Sequence, residues 1–304
     1  TATLPPDAAV RRAGCRARGL EVQAVFVEGP PLAALELLGV EYHELERWNC
    51  CGAVFSLAED DLIHHVAPIR NLVRAQQAGC DTVVTICSQC YNTLARANLL
   101  VRGDAEKLKT INWFMDEEPD YDGGVEVVHY LSLIRDRVGF EALAQKVVRP
   151  LDGLKVAPFY GCTLVRPEEV SIDPLHEGVL EQFLRALGAE PVPFAAATEC
   201  CGSYQMLAHP EEGMQRAGKV VASAAGAGAE ALVLSCPLCE YNLGTRQPEL
   251  VALGAAAQPL PTLYFTQLLG IALGLEPELY RLDLAGEAAR ALLSEKNFVA
   301  AATV

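Results

Sequence analysis

Asp81-Thr82-Val83-Val84-Thr85-Ile86-Cys87-Ser88-Gln89-Cys90 is a short β-branched run that ends on a Cys-x-x-Cys, and Glu230-Ala231-Leu232-Val233-Leu234-Ser235-Cys236-Pro237-Leu238-Cys239 repeats it further along the chain. Each run reads as a buried strand whose carboxyl end delivers two thiols. Working outward from these two stretches, the other cysteines fall into the same order twice. Cys15 and Cys50-Cys51-Gly52 precede the first Cys-x-x-Cys; Cys162 and Cys200-Cys201-Gly202 precede the second. In the first set 34 residues separate Cys15 from Cys50 and 35 separate Cys51 from Cys87; in the second the counts are 37 and 34. The chain is therefore an internal duplication. Cys80 stands outside it: its counterpart is Ala229, so the duplication assigns Cys80 to packing and the other ten cysteines to chemistry.

The segments between the cysteines alternate strand and helix. Val40 to Glu44 is expected to be a strand leading to the first Cys-Cys pair, and Pro191 to Phe194 leads less clearly to the second. Val156 to Tyr160 is expected to lead to Gly161-Cys162, with Pro158 better suited to an edge strand than to a central one. Val125 to Val128 and Thr262 to Phe265 each precede an apolar helical stretch. Ser56-Leu57-Ala58-Glu59 fits a capping box opening a helix that runs to Gly79, disturbed at Pro68. This order predicts an α/β fold: two duplicated domains, each an open, mainly parallel sheet with flanking helices. Ligands of such sheets bind beyond the carboxyl ends of the strands, so cysteines placed after successive strands should meet at one edge. Arg149-Pro150-Leu151-Asp152-Gly153 marks the expected boundary, giving units 1–150 and 151–304. The Ala-rich stretch from Gly286 to Lys296 is expected to be a helix capping the core.

Composition narrows the function. With 24 basic and 39 acidic residues among 304, the net charge of -15 would repel a phosphate backbone or an anionic membrane, so no nucleic-acid partner is expected. The longest apolar run, Thr262 to Leu275, is shorter than the roughly 20 residues that cross a bilayer, and an integral membrane protein is not expected. The amino-terminal stretch shows no signal-peptide core, so eleven cysteines are read as ligands in a reducing, cytoplasmic setting, not as disulfides. Thiolates select zinc, copper(I) or iron-sulfur clusters. A structural zinc or an ordinary cubane takes four protein ligands, and five per half is one too many. Adjacent cysteines also suit an extended cluster better than a single ion, because neighbouring side chains diverge. Gly52 and Gly202 are candidates for positive φ or for close approach of backbone to sulfide.

The doubled pattern resembles the cysteine-rich CCG domain of the heterodisulfide reductase B-subunit family, which also includes sulfur-oxidation proteins and components of lactate and glycolate oxidation systems. Trp48-Asn49-Cys50-Cys51-Gly52-Ala53, Pro68-Ile69-Arg70-Asn71-Leu72, Cys90-Tyr91, Tyr160-Gly161-Cys162 and Tyr264-Phe265-Thr266-Gln267-Leu268-Leu269 carry the likeness. The resemblance implies two non-cubane [4Fe-4S] clusters and a pseudo-two-fold relation of the halves. One cluster falls on Cys15, Cys50, Cys51, Cys87 and Cys90, the other on Cys162, Cys200, Cys201, Cys236 and Cys239. It implies cleavage or formation of a disulfide or related sulfur substrate at a cavity between the clusters. The expected partners are a ferredoxin-like iron-sulfur subunit of the C type and a flavin-containing subunit of the A type. An electron-relay subunit without catalysis, as in the lactate and glycolate systems, is the alternative. Two departures concern the entry to the first cluster: Ala8 to Gly14 is a weak strand ahead of Cys15, and Gly29-Pro30-Pro31 interrupts the helix expected after it.

Smaller expectations attach to single residues. His129 follows the strand Val125 to Val128 and is a candidate proton donor to a departing thiolate, with a hydrogen-bonded structural role as the alternative; its counterpart is Tyr264. His64, His65 and His209 are expected on solvated helix faces. Trp48 is expected in the core, with shielding of the first cluster as the alternative, and Arg70 is expected to be structural.

Overall fold

The alternation of strand and helix builds two four-stranded parallel sheets in the computed structural model, which describes residues 21–24, 30–52, 62–206, 208–254 and 259–299. The first half holds β1 (Glu21–Ala24), α1 (Pro30–Leu37), β2 (Glu41–Glu44), α2 (Val66–Gln77), β3 (Thr82–Thr85), α3 (Ser88–Gly103), α4 (Ala105–Phe114), β4 (Glu126–His129), α5 (Tyr130–Leu133) and α6 (Phe140–Lys146). The second holds β5 (Lys155–Pro158), α7 (Val179–Ala186), β6 (Glu190–Pro191), α8 (Pro210–Gly226), β7 (Ala231–Leu234), α9 (Pro237–Glu240), α10 (Gln247–Ala252), β8 (Thr262–Tyr264), α11 (Phe265–Ala272) and α12 (Glu287–Glu295). Strand order is β2-β1-β3-β4 in one sheet and β6-β5-β7-β8 in the other. The two orders are the same, so the duplication seen in the cysteines is a duplication of topology.

The inner strands show why both faces must be covered. All four residues of β3 and of β7 are buried. Val83 enters a core with α2, α3 and α4, while Val84 points to the opposite face. In β7, Leu232 and Leu234 join α8 and α10, while Ala231 and Val233 face the other way. Each outer core is private to its half. The third and largest core is shared: Val84, Tyr91, Tyr130 and Leu131 from the first half pack with Val156, Phe183, Val233 and Phe265 from the second. Helix α11, with all eight residues buried, supplies much of this seam. The carbonyl of Ala272 accepts from the amides of Val148 and Arg149. Helix α12 covers the same core through Ala289 and Leu293, as expected of a capping helix, and Lys296 beyond it reaches Glu230 at 2.8 Å.

Several local expectations are revised. The strand equivalent to β5 is β1, which lies after Cys15; Glu21-Val22-Gln23-Ala24 has the strand period, whereas Ala8 to Gly14 contains Arg11-Arg12. Cys15 and the Ala8 to Gly14 stretch lie outside the described residues, as does the Ser56 to Glu59 capping box. Pro30 and Pro31 do not interrupt a helix but begin α1, where a missing N–H has no helical acceptor to lose. Pro68 likewise sits in the first turn of α2, after a 3-10 turn over Leu62–His65. Pro158 lies in an inner strand, not an edge. It is accommodated because the ladder to β6 covers only Lys155 and Val156, and Pro158 pairs with Val233 at the strand end. Trp48 is 47% exposed and is not a core residue.

Candidate functional site

Both Cys-x-x-Cys motifs lie where a strand passes directly into a helix. Cys87 caps α3 and its Sγ accepts from the Cys90 amide at 3.5 Å; Cys236 caps α9, with Pro237 in the first helical position. Thiols at such positions face the positive end of the helix and free amides, which favour the thiolate. Because β3 and β7 point their carboxyl ends at each other, the two motifs meet across the seam. The Ser88 amide donates to the Ser235 carbonyl at 3.0 Å, and the neighbouring Cys236 pushes the Cys87 thiol up.

The Cys-Cys-Gly loops then close on these motifs. Cys51 Sγ lies 3.2 Å from Cys90 Sγ, and Cys239 Sγ lies 3.3 Å from Cys201 Sγ. Cys162 follows Gly161, whose missing Cβ would lie 3.8 Å from Cys239 Sγ and 3.2 Å from the Phe159 ring, so the chain before Cys162 passes close to the second Cys-x-x-Cys. Gly52 and Gly202 both have positive φ, +76° and +83°, which explains a glycine after each pair. The Gly202 amide donates to Cys200 Sγ at 3.4 Å. None of the ten described cysteines is in a disulfide. Cys80 is buried at the amino end of β3, seven residues before Cys87 and so about 20 Å from it along an extended chain. Its amide bonds to Ala75 just as that of Ala229 bonds to Ala224.

Crowding divides the thiols into donors and acceptors. Hydrogen bonds from Cys162 and then Cys201 hold Cys200 down to about 2, while the same contact, with burial, pushes Cys162 up. Contact with Cys200 pushes Cys201 up to about 11. Cys236 is lowered by Cys239 and then by Cys87, and Cys90 is raised by Cys51 and then by Cys87. Thiols only, outside any disulfide, crowded together and served by amides from Cys90 and Gly202: this donor set fits an iron-sulfur group, which takes up thiolates and releases their protons.

Asn49, Asn71 and Arg70, from the stretches that carry the likeness, fix the first loop together with Arg74, which motif reading does not single out. Asn49 donates its amide to Asn71 Oδ1 at 3.0 Å and receives Asn71 Nδ2 on its carbonyl at 2.9 Å; Arg74 donates to Asn49 Oδ1 at 2.9 Å. The first Cys-Cys pair is thus pinned to α2, and Arg70 joins Glu118 in the same structural network. The second half solves the problem differently. One extra residue, Glu240, follows its Cys-x-x-Cys and is absorbed by a π turn over Tyr241–Thr245, which turns Asn242 inward to the Cys201 carbonyl at 3.2 Å. Asn92, without that insertion, instead reaches across the seam and donates to the carbonyls of Thr163 and Arg166 at 2.9 and 2.6 Å. Tyr204, just after the second Cys-Cys-Gly, donates to Gln89 Oε1 at 2.9 Å. A groove of ≈ 780 Å³ opens beside Cys200, with Arg216 and Lys219 on its wall.

His129 is the last residue of β4 and is fully buried. Its Nδ1 accepts from the Leu131 amide at 3.2 Å, so Nε2 carries the hydrogen and faces the Ile86 carbonyl at 3.3 Å. Burial holds it down to about 3. Both ring nitrogens serve the backbone, which is the structural role weighed above. His209 is exposed, and His64 and His65 are half-buried in the 3-10 turn.

The cysteine-rich CCG domain matches residues 14–95 and 156–244, the two stretches that carry the sulfur sets. The chain belongs to the heterodisulfide reductase B-subunit family of duplicated CCG-domain proteins. It is 30% identical over 258 residues to the B subunit of the ferredoxin/F(420)H(2)-dependent CoB-CoM heterodisulfide reductase of Methanosarcina acetivorans, covering 83% of this chain and 85% of that one. A protein of Archaeoglobus profundus that is like the heterodisulfide reductase B subunit is 27% identical over 79% of this chain and 83% of its own. The 8-methylmenaquinol:fumarate reductase membrane anchor subunit of Wolinella succinogenes is 36% identical, over 80% of this chain and 85% of its own. The crystal structure of a hypothetical protein from Helicobacter pylori shares the fold, with a TM-score of 0.69 at 13% identity over 88% of this chain. This chain spans about half of that one, 51%. The family member described here is an iron-sulfur subunit of a reductase complex. Among its described residues no helix is long and apolar enough to cross a membrane.

Proposed function

We propose that this protein carries two non-cubane four-iron clusters and interconverts a disulfide, or a related sulfur substrate, with two thiols, taking up two electrons and two protons per disulfide in the reducing direction. The ligands assigned are Cys15, Cys50, Cys51, Cys87 and Cys90 in unit 1–150 and Cys162, Cys200, Cys201, Cys236 and Cys239 in unit 151–304. Cys15 is assigned by spacing alone. When bound, such clusters supply electrons singly. One observation carries the reading: the two Cys-x-x-Cys motifs meet at a seam where the Ser88 amide donates to the Ser235 carbonyl, so two one-electron centres held there would lie side by side. Asn92 and Tyr204 tie the first Cys-x-x-Cys and its helix to the segments that follow Cys162 and Cys201, and the apolar core beneath, with Phe265 and Tyr130, keeps bulk water from the seam. Electrons would come from partners, a ferredoxin-like iron-sulfur subunit and a flavin-containing subunit.

A second reading is favoured by the 36% identity to a quinol:fumarate reductase subunit: a relay between a quinol and a partner, with no sulfur substrate. The two readings part in one experiment. Cys201→Ala, shown by electron paramagnetic resonance to keep the cluster of the first set, is assayed for disulfide reduction with an artificial donor. Loss of turnover is expected; near-normal turnover rejects the paired mechanism.

A further inference from the structure

The two halves are duplicates, and one of their differences directly follows the Cys-Cys-Gly. Counted from the paired cysteines, Ser203 of the second half is matched by Ala53 of the first. Ser203 opens a 3-10 turn over Ser203–Gln205 that Gly202 makes possible: its φ of +83° reverses the chain, and the Gln205 amide closes on the Gly202 carbonyl at 2.9 Å. Both neighbours of Ser203 are anchored. Gly202 lies against the backbone of Gly213 in α8, and Tyr204 donates its hydroxyl to Gln89 Oε1, between the cysteines of the first Cys-x-x-Cys. The Cys201 carbonyl is itself held by Asn242 Nδ2 at 3.2 Å. Between these anchors the Ser203 hydroxyl stands 3.2 Å from Cys201 Sγ, its one hydrogen-bond partner among the described residues.

Between a free thiol and a hydroxyl either atom can donate. A cysteine that ligates iron is a thiolate with lone pairs only, so in the loaded protein the hydroxyl must be the donor. Cys201 is buried, 2% exposed, so water does not compete for its sulfur and the low local dielectric strengthens the bond. Resting on the cluster reading above, we propose that Ser203 donates a hydrogen bond to the Cys201 ligand and thereby raises the reduction potential of the second cluster. The bond tightens as negative charge on the sulfur grows, so it stabilises the reduced state more than the oxidised one. Ser203 acts through Cys201 and is a positioning residue. Ala53 carries no hydroxyl, so the duplication does not repeat this contribution at the matching place in the first half.

The test compares wild type, Ser203→Ala, Ser203→Gly and Ser203→Thr as anaerobically purified, cluster-loaded protein, by redox titration followed with electron paramagnetic resonance and without turnover. Alanine is the residue that the first half itself carries at this place, and Cys87→Ala, expected to spare the second cluster, identifies that cluster's signal. At a fixed potential the reduced-to-oxidised ratio of the second cluster should fall about tenfold in Ser203→Ala and Ser203→Gly, ~59 mV for a one-electron couple. Ser203→Thr keeps the hydroxyl and should keep the wild-type ratio, and the first cluster should not respond to any of the three. A ratio within about twofold of wild type in both deletions, an equal fall at both clusters, or a fall in Ser203→Thr as large as in Ser203→Ala would overturn the proposal. So would loss of the second cluster from both deletions, since the hydroxyl would then be holding the cluster and not tuning it. These outcomes leave the disulfide reading, which is decided by turnover, untouched; wild-type protein that loads no iron-sulfur group overturns both.

Discussion

Gly202→Ala and Gly52→Ala make the same chemical change at duplicated positions, and the structure separates their effects. Both glycines have positive φ, so alanine at either place carries a left-handed backbone cost of ~1–2 kcal/mol, offset by ~0.4–1 kcal/mol through a less flexible unfolded chain. At Gly52 the added Cβ would meet only Ala67 Cβ at 3.7 Å, ordinary contact, so the net loss should be about 1 kcal/mol. At Gly202 it would fall 2.6 Å from the Gly213 carbonyl oxygen and 2.9 Å from Gly213 Cα, both in the backbone of α8. Helix α8 or the Cys-Cys-Gly loop must move, which adds an overpacking cost of ~1–3 kcal/mol and draws the Gly202 amide from Cys200. Anaerobic thermal unfolding of the cluster-loaded proteins should therefore show a fall in Tm of about 5–10 °C for Gly202→Ala against about 2–3 °C for Gly52→Ala. Iron loss should follow the same order. Equal falls, or a larger one at Gly52, would refute the claim that α8 packs directly on the second loop.

Two further outcomes are expected. Cys80→Ala should leave iron content unchanged, whereas Cys87→Ala should lose or degrade the first cluster and spare the second, as metal analysis with electron paramagnetic resonance will read; equal loss in both variants would erase the distinction between packing and ligand cysteines. Asn92→Leu strands the buried Thr163 carbonyl and removes a second bond to the part-buried Arg166 carbonyl, and should cost ~1–3 kcal/mol in denaturant unfolding, well above the effect of the same change at a solvent-facing polar residue.

Much of this architecture is legible in the sequence because it is written twice. A six-residue strand-like run ending on a Cys-x-x-Cys, β-branched at Asp81–Ile86 and apolar at Glu230–Ser235, gives strand, direction and sulfur position together. The match of Cys80 with Ala229 separates packing from chemistry without any structural knowledge. Less legible is what duplication hides. That the halves share their largest core is not visible in periodicity, since a residue buried against its own sheet and one buried against the other half look alike; Phe265 and Tyr130 belong to the second kind. Strand β6 keeps only two paired residues where four were expected from Pro191 to Phe194, because Pro191 and Pro193 cannot donate to a ladder. The role of His129 depends on one proline: Pro237 has no N–H to offer the Ile86 carbonyl, and His129 Nε2 serves it instead. Nothing in the spacing of His129 signals that exchange.

The proposed assignment, one four-iron cluster on each of two sets of five cysteines, sets the metal content expected of the protein. Iron and acid-labile sulfide, measured per chain on anaerobically purified protein, should come to about eight of each; zinc without sulfide, or about four iron per chain with one set empty, would contradict the two-cluster assignment.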